Sequence, residues 1–185
     1  MSAVTIRSVR PGDATPIAAI YEPHVTEGTA SYEAVAPDAA EMARRIATLR
    51  AQGYPYLVAE REGRVLGFAY ASGFRNRPGY RFTVENSIYV SPEAQGSGIG
   101  RLLLRSLIDL CTRLGYRRMV AVIGDGGNGG SLGLHRAMGF VPAATIPGLG
   151  VKHGRWLDWV MMVRVLGDAD APPPSADALP ELHLD

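Results

Sequence analysis

The spacing of apolar and polar positions changes several times along the chain, and each change marks an element. Alternation over residues 4–9 predicts a first strand. Asp13 then offers an N-cap for a helix through Ile17, Ile20 and Tyr21, with Pro16 in an early turn. Asp38 with Glu41 has the spacing of a capping box and opens a second helix, with Met42, Ile46 and Leu49 on one face and Gly53 as its stop. Residues 56–60 and 65–74 flank the turn Glu62-Gly63 and read as an antiparallel hairpin, and 82–90 continues it as a meander. A leucine-rich helix over 101–114 ends at Gly115, and the apolar run 119–123 follows as a buried strand parallel to the one before the helix. After the glycine-rich loop 124–130 come a short helix over 131–138, closed by Gly139, and two strands at 140–145 and 156–165 joined by a loop containing Gly and Lys. The order β-α-α-β-β-β-α-β-α-β-β is an α+β arrangement. Residues 1–166 read as one domain; the Pro-rich stretch after Gly167 makes neither helix nor central strand and predicts a loose or surface-draped tail over 167–185.

One loop carries chemistry. Gln95-Gly96-Ser97-Gly98-Ile99-Gly100 sits between a strand ending at Val90 and a helix beginning near Arg101. Glycines there let the backbone turn tightly, and their N–H groups join the helix N-terminus in facing an anion, for which a pyrophosphate is well suited. The dinucleotide fingerprint needs a different glycine spacing in the first βα unit and an acid about 20 residues on, where this chain has Val120. The P-loop needs Lys and Ser/Thr after its last glycine; Arg101-Leu102 stands there instead.

Composition narrows the partners. The chain has 185 residues, 46% of them apolar and 20% charged, which suits one domain with a full core. A net charge of +1 gives no field to gather nucleic acid or an anionic membrane, so a small-molecule partner is expected. The N-terminus lacks a signal-peptide pattern and no apolar run reaches about 18 residues, which predicts a cytoplasmic protein. Cys111 is the single cysteine and falls on an apolar helical position, so it reads as core packing rather than a nucleophile. His24, His153 and His183 have no metal-site spacing and receive no chemistry, and Trp156 and Trp159 read as packing.

The Q-x-x-G-x-G loop resembles that of the GCN5-related N-acetyltransferases. With Glu85-Asn86-Ser87-Ile88-Tyr89-Val90, Asn128, the run 131–135, Gly139-Phe140 and the run 152–158, the chain is similar over residues 4–166 to the phosphinothricin and methionine sulfoximine acetyltransferases. The resemblance implies the GNAT fold, a mixed, mostly antiparallel sheet of about seven strands flanked by about four helices. It implies acetyl-CoA as co-substrate, its pyrophosphate held by Gln95, Gly96, Ser97, Gly98, Ile99, Gly100 and Arg101 and its pantetheine arm by the backbone of Ile88, Tyr89 and Val90. Asn128 matches an asparagine that touches the cofactor, and it can equally serve as an N-cap. The resemblance also implies a homodimer and no metal.

Acetylating an amine requires a base for the ammonium proton and a donor for the charge gathering on the thioester oxygen. Glu85, on an apolar strand, is the candidate base, directly or through one water; a simple pairing with an arginine of the facing strand is the plainer reading. His135 matches a family histidine implicated in proton handling, and also reads as a satisfied structural hydrogen bond. Arg75, Arg77 and Arg81 form a cationic cluster suited to a substrate carboxylate, or else a solvated rim. By resemblance Arg75, Asn76 and Arg77 line the acceptor pocket with Glu85, Asn86 and Ser87, and Tyr32 matches an aromatic residue that closes over the substrate. The chain departs from its relatives at Asn76, Arg77, Phe82 and Asn86, which replaces a histidine beside the base, and in the richer glycine content of 124–130. The reaction implied is direct attack in a ternary complex on the α-amine of phosphinothricin, methionine sulfoximine, methionine sulfone or a similar analogue, with toxin or herbicide resistance as its use. Another small amine or a non-catalytic acyl-CoA sensor are the alternatives; the arginines argue against a polyamine.

Overall fold

The structure, a computed structural model, describes residues 3–124 and 128–175. Seven strands form one sheet: β1 (Thr5–Ser8), β2 (Tyr56–Arg61), β3 (Arg64–Gly73), β4 (Thr83–Val90), β5 (Arg118–Gly124), β6 (Val141–Lys152) and β7 (Arg155–Val165). Four α-helices accompany them: α1 (Ala14–Thr26), α2 (Ala39–Ala51), α3 (Ile99–Arg113) and α4 (Gly129–Ala137). The sheet order is β1-β2-β3-β4-β5-β7-β6. Only β4 and β5 run parallel; every other neighbouring pair is antiparallel. This is the mixed α+β sheet that the element order implies, with β7 inserted between β5 and β6. No helix among the described residues is long and apolar enough to cross a membrane.

The sheet separates two packed layers. On one face α1 and α2 bury Ile17, Tyr21, Val25, Met42 and Ile46 against Tyr56, Val58 and Phe68; on the other, α3 sets Leu103, Leu104, Leu107 and Cys111 against Leu57, Ala69, Val84 and Met119. Strand alternation sends successive residues to opposite faces. Cys111 is fully enclosed, as its helical position suggests, and burial pushes its thiol up to about 12.

Local chemistry explains the element ends. Asp38 accepts the N–H of Glu41 at 2.8 Å and caps α2, while the Glu41 carboxylate is taken up by Arg44 and Arg45. Glu62 and Gly63 both have positive φ, 53° and 76°, the left-handed pair a two-residue hairpin needs.

Two expectations change. Asp13 precedes α1 but does not cap it with its side chain: the carboxylate accepts from the Arg7 guanidinium at 2.7 and 2.9 Å and from the Arg10 N–H at 2.6 Å. A half-buried cation on β1 outcompetes the helix end for that carboxylate. The expected loop between the last two strands is instead strand, with the turn confined to His153-Gly154 at φ 50° and 69°. Register irregularities at 142–144 and 146–150 absorb Pro142 and Pro147, which an edge strand tolerates. In the proline-rich tail, residues 168–175 carry neither helix nor strand, and the Ser175 carbonyl accepts from Arg81; residues 176–185 and His183 lie outside the described part.

Candidate active site

The β4–β5 ladder spans Thr83↔Arg118 to Asn86↔Ala121, and both strands continue past it to Val90 and Gly124. Parallel strands that part in this way leave the backbone edges of Ser87–Val90 facing an opening, and a cavity of about 510 Å3 occupies it. Its walls bring together Asn86, Ser87, Ile88, Tyr89 and Val90 from β4, Gln95, Gly96, Gly98, Gly100 and Arg101 from the following loop and helix, and Asn128 and His135 from the α4 side.

The loop suits an anion. Gly96 and Gly98 hold φ of 74° and 86°, which only glycine adopts cheaply, and a Cβ on either would point into open space. Ile99 and Gly100 open α3, so their N–H groups have no partner within the helix, and its dipole and the Arg101 cation add positive character. Ser97 and Ile99 do not line the cavity. The Ser97 hydroxyl donates to the Ala94 carbonyl, and the Ile99 side chain is 1% exposed in the core. Both shape the loop, leaving the Ile99 contribution to its backbone. Asn128 caps α4 by accepting the Ser131 N–H at 3.1 Å while its residue also lines the cavity, so its two readings coexist.

Cross-strand pairing fixes which side of the sheet each group occupies. Glu85 faces Ser72, Ser87 faces Tyr70 and Tyr89 faces Phe68, which lies in the α1–α2 layer; Val84 belongs to the α3 layer, and Asn86 alternates with Glu85 onto that side. Glu85 is half-buried, and burial is the main force raising its carboxyl above the ordinary value, with the positive charge of Arg75 opposing it.

His135 lies on the other face. Asn86 donates its amide N–H to the Val120 carbonyl at 2.9 Å, which turns its Oδ1 toward His135; the imidazole Nε2 donates to that oxygen at 3.0 Å. His135 Nδ1 lies 2.8 Å from the Ser131 carbonyl, the ring meets the Phe140 edge, and the residue is 4% exposed. Burial lowers its affinity for a proton, offset in part by Ser131. Glu85 and His135 are thus separated by the sheet, and His135 holds the residue next to Glu85.

The remaining expected residues do not line this cavity. Arg75, Asn76 and Arg77 are exposed on the loop between β3 and β4, with Arg75 over the Phe74 ring. Arg81 donates to the Pro78 and Ser175 carbonyls and covers the Phe82 ring. Tyr32 packs against Gly124 and Gly150 and donates its hydroxyl to the Asp158 carbonyl at 3.0 Å, anchoring the α1–α2 connection to β7. Lys152 donates to the Ser31 carbonyl and strengthens that strap.

His24, to which the sequence assigns no chemistry, lines the cavity. Its Nε2 donates to the Val90 carbonyl at 3.0 Å and its ring lies 5.3 Å from that of Tyr89. Only packing of α1 on β4 brings these residues together across 66 positions; no local motif announces it. Among the described residues, no group of three or more His, Cys, Asp or Glu is placed to hold a metal ion.

Residues 18–140 match the family model described as acetyltransferase (GNAT) family. The chain is 51% identical over 168 residues to the phosphinothricin N-acetyltransferase of Alcaligenes faecalis, covering 91% of this chain and 85% of that one. It is 39% identical to the L-methionine sulfoximine/L-methionine sulfone acetyltransferase of Salmonella typhimurium, covering 91% and 98%. Among solved structures it resembles a GNAT superfamily phosphinothricin acetyltransferase from Sinorhizobium meliloti in complex with acetyl-CoA, with a TM-score of 0.91, 48% identity and coverage of 100% and 98%.

Proposed function

The chain belongs to the acetyltransferase (GNAT) family, and from that premise we propose that residues 1–166 form an enzyme that moves an acetyl group from acetyl-CoA to the α-amine of a small amino acid or amino acid analogue. The observation that carries this reading is the opening between β4 and β5, with an anion cradle in its wall and the half-buried Glu85 on β4 directly before Asn86, where the two strands part. Glu85 takes the ammonium proton, directly or through one water, and the freed nitrogen attacks the thioester carbonyl. The C–N bond forms, the C–S bond breaks, and the departing thiolate takes up a proton. Backbone N–H groups at the free β4 edge suit the charge that gathers on the carbonyl oxygen. The donor and acceptor are held together in one ternary complex, and enclosed Cys111 is in no position to carry an acyl group.

Arg75, Asn76 and Arg77 suit an acceptor carboxylate, and Tyr32 and Ser87 the walls around the amine. Arg81 is committed to carbonyls and holds the loop and tail. His135 serves as a positioning residue for Asn86, the neighbour of Glu85. Acetylation of this kind disarms a toxic amino acid analogue, and acetyl-CoA as donor assigns the reaction to the cytoplasm. The test is CoA release from acetyl-CoA with phosphinothricin, methionine sulfoximine, methionine sulfone and spermidine. Turnover with the amino acid analogues alone is expected; turnover with spermidine alone overturns the acceptor class, and none with any amine overturns the enzyme reading.

His24→Ala removes a side chain from the cavity wall and frees the Val90 carbonyl, and is expected to raise KM for acetyl-CoA with a smaller change in kcat. Steady-state kinetics reads the split; an unchanged KM removes His24 from the cofactor wall.

A homodimer completes this reading. Ile146, Leu149 and Val151 on edge strand β6 are 43%, 55% and 58% exposed, and Trp156 at the start of β7 is 72% exposed. Such a patch on a sheet edge suits a second copy of the chain. Light scattering is expected to give a dimer mass for the native protein and a monomer for Trp156→Glu; a native monomer sinks the idea.

A further inference from the structure

The connection between α1 and α2, residues 27–38, carries neither helix nor strand, yet it is tied to the far end of the sheet. The Lys152 ammonium donates to the Ser31 carbonyl, His153 Nε2 donates to the Gly28 carbonyl at 3.2 Å, and the Tyr32 hydroxyl donates to the Asp158 carbonyl at 3.0 Å. These contacts join groups 121 to 126 positions apart, and all of them come from the β6–β7 hairpin. Tyr32 also lays its ring against Gly124 and Gly150, and the Thr29 carbonyl abuts Gly124. Ala30 lies between Thr29 and Tyr32 and lines the cavity of about 510 Å3, as Gly124 does. The middle of the strap is therefore a wall of that cavity on its β5 side.

Lys152 stands out among these ties. Its neighbours Val151 and His153 are exposed, whereas strand alternation turns Lys152 inward, where it is 8% exposed. Burying an ammonium costs free energy that a single carbonyl acceptor returns only in part. Among the described residues Lys152 forms no ion pair; Glu33 favours its charge from a distance while being gripped by Arg45. A buried cation of this kind contributes little to stability. What it supplies is a fixed place for Ser31, which is itself buried. Tyr21 and Arg45 tie Ser31 and Glu33 to the two helices, and Lys152 draws the same segment to the sheet.

We propose that Lys152 is a positioning residue for the acetyl-CoA site: by holding Ser31 it seats the strap so that Ala30 stays in the cavity wall. The proposal rests on the acyl-transfer reading above for the identity of the occupant. Without the ammonium, the Ser31 carbonyl regains a donor from water, which it reaches when the strap lifts.

Lys152→Met keeps the length of the side chain and removes the donor. Gly124→Ala presses on the strap from the opposite side, since its Cβ would lie 2.9 Å from the Tyr32 ring and 3.0 Å from the Thr29 carbonyl oxygen. A wall seated about a tenth of the time raises the apparent Kd about tenfold, and calorimetric titration with acetyl-CoA is expected to show a rise of that order in both variants. Steady-state kinetics with phosphinothricin is expected to show KM for acetyl-CoA rising in step while kcat stays near native. Amide exchange without acetyl-CoA is expected to quicken at residues 28–33 in both variants and to stay unchanged in α3. The urea midpoint of Lys152→Met is expected at or above the native value, because the variant no longer buries a charge. Native Kd and native exchange in both variants overturn the proposal. A Lys152→Met protein that loses stability while keeping the native Kd also overturns it, and makes Lys152 a structural prop. Absence of acetyl-CoA binding to the native protein overturns the acyl-transfer reading and this role together, whereas tight native binding that neither variant weakens overturns this role alone.

Discussion

Glu85→Gln is expected to lower kcat about 10²- to 10⁴-fold, the range for removing a positioned general base. The amide keeps the shape of the side chain and cannot accept the ammonium proton. The pH profile distinguishes this from a binding defect. Burial raises the Glu85 carboxyl above its ordinary value, and only its ionised form acts as base, so native kcat/KM is expected to climb as pH rises through a value above the usual carboxylate range of about 4.3. Arg75 opposes that shift by favouring the charged form. Arg75→Met is therefore expected to move the rising limb to higher pH, and Glu85→Gln to abolish it. A variant that keeps the native limb would show that the proton leaves by another route.

Asp13→Ala is the substitution with the largest expected effect on stability. Arg7 lies between Asp13 and Glu60, with side-chain exposures of 15%, 9% and 26% respectively. Removing one partner of a buried pair costs about 3–5 kcal/mol, and about 3 is expected here because Glu60 remains to face Arg7. The hydrogen bond from Arg7 is the main cause holding the Asp13 carboxyl below its ordinary value. The sign follows: this contribution is fully present above the unfolded value of about 3.9 and is lost as pH falls through the lower folded value. Urea unfolding of native and variant proteins at neutral pH and at acid pH measures it. The gap between the two is expected to narrow in acid; a constant gap would mean that the carboxylate acts through packing instead.

Much of this molecule was legible in its sequence where signals are local. The Asp38 cap, the Glu62-Gly63 turn and the glycine loop before α3 each depend on neighbours within a few positions, and each stands where expected. Asp13 was misread because its partner sits on a strand, six residues back, and competes through charge. The loop expected between 145 and 156 is strand up to the His153-Gly154 turn, because the sheet edge accommodates its prolines and glycines as irregularities. The resemblance gave Glu85 and His135 each a role in proton handling; strand alternation sets them on opposite faces of the sheet, and only the amide of Asn86 reveals how His135 reaches the neighbourhood of that carboxylate. His24 left no trace in the pattern, since its partner is a main-chain carbonyl.

The order of strands also bears on how the chain is made. Among the described strands β7 is the last to be synthesised, yet it pairs with both β5 and β6. Until residue 165 has emerged, β6 has no partner and one edge of β5 stands open, with Val120, Ala121 and Ile123 beside it. A nascent chain halted between these strands would thus present an unpaired apolar template to its neighbours. Emergence of β7 is what turns a sticky intermediate into a fully paired sheet.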